Sequence, residues 1–392
     1  MASFDPAAAT AAYMATLSPA GHAKATAYTH GGHWLMLWGW LVAVVSAWLI
    51  IRSGVLVRTE IAMERKKPHL VLTSLAVAAI FVVMDFVLEL PWAIYANWWR
   101  EKSYGLTSQA LSGWFSEQLI GLVIDVIGTA LFVAALYALI RRAPRAWWLW
   151  AGGLAAVFLA VVTILGPIFI EPLFNTYTPA PPGAVRDTVV ALAKKAGVPY
   201  DKIYIYNGSK QSNRYTANVA GLGGTARVAM SDVMFAKGAD IAEVRGVVGH
   251  EMGHYKRGHI LWGTLADVLM AVALFGLIQL TFPWAANLMG AKIGGIADPA
   301  GLPVMMAIFA TISLLASPID KTISRAEEAD ADAFSLRVAN EPDGLSKALV
   351  KTIEYRASSP SDLEEFLFYD HPSVEHRVRA AMNWKAAHPS GG

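Results

Sequence analysis

Residues 70–95 read LVLTSLAVAAIFVVMDFVLELPWAIY, and their only charged side chains are Asp85 and Glu89. A helix needs about 20 mainly apolar residues to cross the hydrocarbon core of a bilayer, so this run predicts a membrane span. Five further runs reach that length: Trp34–Ile51, Leu119–Ile140, Trp147–Ile170, Ile260–Phe282 and Leu302–Ile319. The sequence therefore predicts a mainly α-helical, polytopic membrane protein with about six spans.

The composition agrees with a membrane protein. The 392 residues are 55% apolar and 16% charged, with a mean hydropathy of +0.42, whereas a soluble domain has about 25% charged residues. The alternative, buried helices in a large soluble protein, fits this charge content poorly. A net charge of +2 leaves no basic surplus for nucleic acid, and the absence of cysteine excludes disulfides and thiolate metal sites.

Four acids lie inside the predicted spans, and lipid is a poor environment for them. A carboxylate that faces lipid costs several kcal/mol, so these side chains should face protein or water. They are Asp85, Glu89, Asp125 and Asp267. A hydrated internal cavity and structural polar contacts both remain open as the reason for their presence.

The spans divide the chain into six parts. These are an N-terminal segment (1–33), four spans (34–170), a polar segment (171–259), two spans (260–320), a second polar segment (321–387) and a tail (388–392). The N-terminal segment is Ala-rich and shows no secretory signal, and we expect the tail to be disordered.

The first polar segment contains strand patterns. Residues Lys202–Tyr206 alternate as a strand does, and Tyr215–Ala220 and Ala226–Met230 flank the Gly-rich turn GLGGT. Residues Gly183–Gly197 have the spacing of an amphipathic helix. We therefore expect a small β-sheet beside helices.

The same segment ends in GVVGHEMGHYKRGH, residues 246–259, which contains HExxH at His250–His254. Four residues advance a helix by about 400°, so His250 and His254 share one face and can bind one zinc ion. Glu251 lies beside that face, where it can accept a proton from an activated water. Asp240 and Glu243 have the spacing of an N-cap and its capping-box partner, which supports a helix here. Two helical histidines without a metal are the alternative.

The third ligand decides the class of zinc site. His259 follows His254 by five residues, and on a continuing helix it would lie about 140° away from His254 and face away from the metal. The stretch SRAEEADADAF, residues 324–334, offers carboxylates instead. Ser324 and Glu327 have capping-box spacing, which would place a helix start there. Glu328 and Asp332 are four residues apart, which suits a ligand followed by a carboxylate that orients a ligating imidazole. An acidic, solvated helix face is the alternative.

Several motifs in order resemble the integral-membrane zinc proteases typified by CAAX prenyl protease 1. HExxH lies at His250–His254, and SRxxExxAD is matched by Ser324, Arg325, Glu328, Ala331 and Asp332. The family's HPxxxxR falls on His371, Pro372 and Arg377. Shorter matches are LPWAIY (90–95), EKSYG (101–105) and EPLFNTYTP (171–179).

The resemblance implies spans around a water-filled chamber, a zincin-like catalytic domain with a small sheet, and one Zn²⁺. It implies that Glu251 and His371 are catalytic, with His371 donating to the oxyanion, and that Arg377 contacts substrate. The family's substrate-binding strand corresponds to Thr216, Ala217 and Asn218, which lack the usual Asn-Ala-aromatic run. The six spans are one fewer than in eukaryotic members, and the first span is the one we expect to be missing.

The interpretation is a zinc-dependent membrane endopeptidase of the gluzincin type in a bacterial cytoplasmic membrane. Its partners would be the bilayer and peptide or protein substrates, including lipidated or membrane-associated ones. An intramembrane-cleaving zinc protease is one rival, although Tyr255, Lys256 and Arg257 follow HExxH directly. A transporter or binding protein with a vestigial metal site is another. The physiological substrate, the oligomeric state and the side of the membrane that carries the site stay open, because basic-residue clusters and family topology disagree on orientation.

Overall fold

The structure is a computed structural model that describes residues 4–65, 69–221, 226–235 and 238–389. Its helices are α1 (Pro6–Met14), α2 (Pro19–Ser53), α3 (Val55–Glu64), α4 (Leu70–Ala93), α5 (Arg100–Ser103), α6 (Leu111–Arg142), α7 (Trp147–Leu165), α8 (Glu171–Phe174), α9 (Ala184–Ala196), α10 (Ile241–Arg257), α11 (His259–Met289), α12 (Leu302–Ala339), α13 (Pro342–Lys351), α14 (Asp362–Phe368) and α15 (Val374–Ala387). The last three tail residues lie outside the described ranges, so the expectation of disorder there stays a prediction.

Six helices in the described part of the chain are long and apolar enough to cross a membrane. They are α2, α4, α6, α7, α11 and α12, with α4 and α7 continuing through short π-helical turns. The predicted six-span architecture is therefore confirmed. Tyr137 and Trp147 are fully buried between the spans, whereas Leu280 and Leu288 are 76% and 70% exposed. These exposed apolar faces suit contact with lipid tails.

α12 continues from the membrane into the second polar segment without interruption. Its 38 residues extend about 57 Å, well beyond a hydrocarbon core of about 30 Å. The prediction of a new helix start at Ser324, capped by Glu327, is wrong. Nothing between Ile319 and Ser324 breaks the helix, and the Ser324 hydroxyl donates to Asp370 O at 2.7 Å instead. One helix thus joins the last span to the predicted third ligand.

The sheet has four strands in the order β1-β2-β4-β3. They are β1 (Tyr177–Pro179), β2 (Ile203–Tyr206), β3 (Ala217–Ala220) and β4 (Arg227–Ser231). β2 and β4 are parallel, and the other two pairs are antiparallel. The three predicted strands are present, and β1 is an addition whose three residues are too few to show a period. β3 is left as an edge strand beside α10.

The N-terminal segment packs against the C-terminal one. α1 and the first turns of α2 bury apolar residues against α13 and α15, in a cluster that includes Ala25, Leu345 and Val378. Tyr13 Oη donates to Asp343 Oδ1 at 2.8 Å. The described part of the N-terminal segment therefore supports the same helices that carry the C-terminal motifs.

Candidate metal centre

The helix that carries HExxH packs closely against α12 through glycines. Gly249 and Gly253 are four residues apart and lie on one face of α10. A Cβ atom at Gly253 would lie 3.0 Å from Ala331 Cα, and one at Gly249 would lie 2.7 Å from Ser335 Oγ. Larger residues would push the helices apart. The glycines therefore allow Glu328 on α12 to reach the HExxH turn.

The three predicted ligands meet between these two helices. Glu328 Oε2 lies 3.2 Å from His250 Nε2, and Glu328 Oε1 lies 3.3 Å from His254 Nε2. The two Nε2 atoms are 3.1 Å apart. Glu328 Oε2 is buried and has no hydrogen-bond partner. Two imidazoles and a carboxylate with an unsatisfied oxygen could hold a metal ion, and this donor set fits zinc.

His250 is held from behind by a buried ion pair. Its Nδ1 atom lies 2.8 Å from Asp332 Oδ1, and Arg377 donates to both Asp332 oxygens, from Nε at 2.7 Å and Nη2 at 2.8 Å. Burial lowers the pKa of His250, but the hydrogen bond to Asp332 and the nearby Glu328 carboxylate outweigh burial and raise the pKa to about 9. The carboxylates therefore favour positive charge at this position, and a metal ion would supply it.

Arg377, which the sequence predicts as a substrate contact, uses its guanidinium to bind Asp332. It also lines the cavity beside the ligands, so a contact with substrate stays a prediction.

His254 is supported by His259, which the sequence predicts to face away from the metal. The helix does not continue past Arg257, because Gly258 has φ 72° and ends α10. His259 therefore turns back, and its Nδ1 lies 3.1 Å from His254 Nδ1. It faces the rear of His254 rather than the meeting point of the three ligands, and it is not part of the metal-binding group found among the described residues.

Glu251 and His371 line one cavity of about 140 Å³ next to His250. Burial raises the pKa of the Glu251 carboxyl, against the opposing charges of His250 and His254. His371 Nε2 lies 3.3 Å from Glu328 Oε1. The structure thus brings both predicted catalytic side chains to the edge of the ligand cluster.

His371 is oriented by the residue before it. Asp370 Oδ1 lies 2.7 Å from His371 Nδ1. Burial tends to raise the pKa of Asp370, but the hydrogen bond to His371 outweighs burial and lowers it to about 2. Asp370 is therefore ionised and accepts a hydrogen bond from Nδ1 of the His371 ring.

The edge strand β3 passes the same cavity. Thr216 O accepts a hydrogen bond from Ser231 N at 2.9 Å. Backbone groups alternate in direction along an antiparallel strand, so those of Ala217 and Val219 face the open edge. Thr216 and Ala217 line the cavity, whereas Asn218, the third predicted contact, pairs with Ala229 of β4 and buries its Oδ1 without a partner.

Two sequence models of known families match this chain. "Peptidase family M48" matches residues 179–385, which contain the three predicted ligands, Glu251 and His371. The chain belongs to peptidase family M48. "CAAX prenyl protease N-terminal, five membrane helices" matches residues 6–176. Among the residues of this range that the structure describes, α2, α4, α6 and α7 are long enough to cross a membrane, one fewer than the five in the family description.

Relatives resemble this M48 chain over most of their length. "Uncharacterized metalloprotease YhfN" of Bacillus subtilis is 26% identical over 375 residues, covering 93% of this chain and 86% of the relative. "CAAX prenyl protease 1 homolog" of Oryza sativa is 27% identical over 316 residues, covering 79% and 73%. The crystal structure of S. mikatae Ste24p matches with a TM-score of 0.68 and 22% identity, covering 80% of this chain and 76% of that one. This last likeness shows a shared fold.

Sequence reasoning misses how the M48 motif SRxxExxAD supports His371. Ser324 Oγ and Lys321 Nζ donate to Asp370 O and Phe368 O, at 2.7 and 3.0 Å. Arg325 Nη1 donates to Glu365 O at 2.9 Å and also to Tyr369 O. Side chains of α12 thus hold carbonyls at the end of α14 and in the two residues before His371. The signal in the sequence is that the serine and arginine stand one helical turn before the predicted ligand Glu328.

Proposed function

We propose that the chain is a zinc-dependent membrane endopeptidase of the HExxH gluzincin type, with His250, His254 and Glu328 as ligands. The observation that carries this proposal is the convergence of their three ligand atoms beside a cavity that also contains Glu251 and His371. Imidazole nitrogen and carboxylate oxygen are ligands that zinc accepts in an open catalytic site.

A bound zinc ion supplies Lewis-acid activation of the attacking water and of the scissile carbonyl. Glu251 then acts as the base. It takes a proton from the attacking water and passes it to the leaving amine, so Glu251 is ionised again at the end of each turnover. Its raised pKa brings it nearer to the range in which a carboxylate both accepts and returns a proton.

His371 would stabilise the charge that develops on the carbonyl oxygen. Its Nδ1 faces the ionised Asp370, which can only accept, so Nε2 also donates when the ring is protonated. Burial lowers the pKa of His371, and the hydrogen bond and charge of Asp370 oppose that shift and so support the protonated form. A donor aimed at a developing oxyanion is worth about 10²–10³ in kcat.

The substrate backbone would extend the sheet at β3. The open-edge groups of Ala217 and Val219 can pair with an extended peptide, which is the usual mode of strand addition. The side chains of Thr216, Asn218 and Arg377 stay proposed contacts. Because several relatives bear the name CAAX prenyl protease 1, we include lipidated, membrane-associated polypeptides among the proposed substrates. We propose the bacterial cytoplasmic membrane as the place where the enzyme acts.

The test is peptide turnover by the purified protein in lipid nanodiscs. We expect cleavage that stops when a chelator removes the metal and returns with about one equivalent of zinc per chain. The Glu251→Gln variant, loaded equally with zinc, is the matched control. Turnover that survives metal removal contradicts the proposal. Zinc binding without turnover of any peptide or membrane-protein substrate would favour the binding protein, and cleavage only within a membrane-spanning substrate helix would favour the intramembrane protease.

A further inference from the structure

The second nitrogen of His254 contacts a side chain that none of the catalytic motifs includes. His259 Nδ1 lies 3.1 Å from His254 Nδ1, and His259 Nε2 lies 3.2 Å from Asp330 Oδ2. We propose that His259 and Asp330 are positioning residues that hold the ring of His254 in its metal-binding orientation. The proposal rests on the zinc site proposed above and adds two residues to it.

Only one arrangement of protons satisfies this chain of contacts. A His254 that binds the metal through Nε2 keeps its proton on Nδ1 and must donate there. His259 Nδ1 must then accept, which puts the proton of a neutral His259 on Nε2. That proton points at Asp330, whose carboxylate accepts. Each of the two contacts therefore has one donor and one acceptor. Together they favour the tautomer of His254 that has its proton on Nδ1 and binds the metal through Nε2.

The backbone and burial favour a fixed position for His259. Gly258 adopts φ 72°, which ends α10 before α11 begins and places His259 against His254. The two rings meet edge to face, with centroids 5.0 Å apart. His259 is 8% exposed, so water competes little for its nitrogens. A half-exposed Arg257 holds Asp330 by donating from Nε to Oδ2 at 2.6 Å.

The expected role follows from how ligating histidines are oriented in metal sites. Loss of the group that binds the rear nitrogen of a ligating histidine usually costs about 10–100-fold in metal affinity or activity. His250 already has such a group in Asp332. His259, with Asp330 behind it, supplies the equivalent contact for His254, through one intervening ring.

The experiment compares zinc affinity across four full-length proteins in nanodiscs: the parent, His259→Leu, His259→Asn and Lys256→Ala. Leucine keeps apolar bulk but offers no acceptor. Asparagine can place its Oδ1 close to the Nδ1 position and accept the His254 proton. Lys256 lies on the same turn and donates to Gly197 O at 3.4 Å, away from the ligands, so it is the matched control. Competition with a chelator gives the zinc affinity, and thermal unfolding of the metal-free proteins gives their stability.

We expect His259→Leu to bind zinc about 10–100-fold more weakly, His259→Asn to recover most of the loss, and Lys256→Ala to match the parent. The metal-free melting temperatures of the two histidine variants should agree with each other, so that their difference in zinc affinity reports the hydrogen-bond acceptor and not the stability of the fold. If His259→Leu fails to fold, Asp330→Asn gives the same test, with a smaller expected loss because His259 remains in contact.

Zinc binding by His259→Leu as tight as that of the parent overturns the positioning role and leaves the proposed function intact. An equal loss of affinity in the leucine and asparagine variants also overturns it, because the acceptor would then be irrelevant. A parent protein that binds no zinc overturns both proposals.

Discussion

The two histidines that we propose as zinc ligands are supported from behind in different ways. His250 contacts Asp332, which is bound by two nitrogens of Arg377, and the side chains of Asp332 and Arg377 are 6% and 8% exposed. His254 contacts Asp330 through His259, and the Asp330 side chain is 31% exposed. A buried charge has few alternatives to its partner, whereas water can replace a partner at the surface. The His250 side should therefore be the more rigid and the more sensitive half of the centre.

The largest expected effect is on kcat and comes from Glu251, which takes part in neither histidine's support. It is the reference with which variants of the two supports are compared. Glu251→Gln should lower kcat by about 10²–10⁴-fold, because the amide cannot accept a proton from water. Zinc affinity should not change, since neither histidine loses a contact. Single-turnover kinetics and metal analysis on the same sample measure both quantities. Undiminished turnover by zinc-loaded protein would mean that another group is the base.

A second catalytic change also leaves the two supports in place. His371→Ala should lower kcat by about 10²–10³-fold through loss of the oxyanion donor. KM and zinc content should change little, because the hydrogen bond matures only in the transition state. Asp370→Asn should produce a smaller fall in kcat, since the amide oxygen still accepts but no longer carries charge. Loss of zinc in His371→Ala would instead make this residue a ligand.

The buried support is tested by Asp332→Asn. We expect zinc affinity to fall by about 10–100-fold, at the upper end of the range for this kind of contact. The metal-free protein should also lose about 3–5 kcal/mol of unfolding free energy, because Arg377 stays buried without its ionic partner. Chelator competition and denaturation measure the two effects. An Asp330→Asn protein that is destabilised as much as Asp332→Asn would remove the distinction between the two sides.

How far the sequence predicts this centre depends on how local the signal is. The phase of His250 and His254 and the spacing of Glu328 and Asp332 follow from helix geometry, and the structure places all four side chains together. The strand patterns predict β2, β3 and β4, because two-residue alternation is visible within a few residues.

Other contacts depend on events that the local pattern does not encode. Gly258 turns His259 back by adopting a left-handed conformation, although a glycine at that point is also compatible with a continuing helix. Ser324 resembles a cap, but α12 continues through it and the Ser324 hydroxyl bonds to the distant Asp370 O, a contact that the local pattern does not show. Arg377 and Asp332 are far apart in sequence, and no local periodicity predicts that they form a pair.

The smallest expected effect concerns the docking of α1 on the helices that follow α12. α15 carries Arg377, so α1 supports the His250 side indirectly. Tyr13→Phe removes the donor to Asp343 and should lower the unfolding free energy by about 1 kcal/mol. Zinc affinity should stay within twofold or so of the parent's, since no ligand contact is lost. A large loss of zinc binding would show that the N-terminal segment governs the metal centre directly.

The most direct test of the central claim is anomalous diffraction at the zinc absorption edge from crystals of the zinc-loaded protein. We predict one strong peak per chain, about 2.0–2.2 Å from His250 Nε2, His254 Nε2 and one Glu328 oxygen. His259 Nδ1 should remain in contact with His254 Nδ1 and away from the metal. A peak that is bound by His259, or the absence of any peak between α10 and α12, would contradict the account.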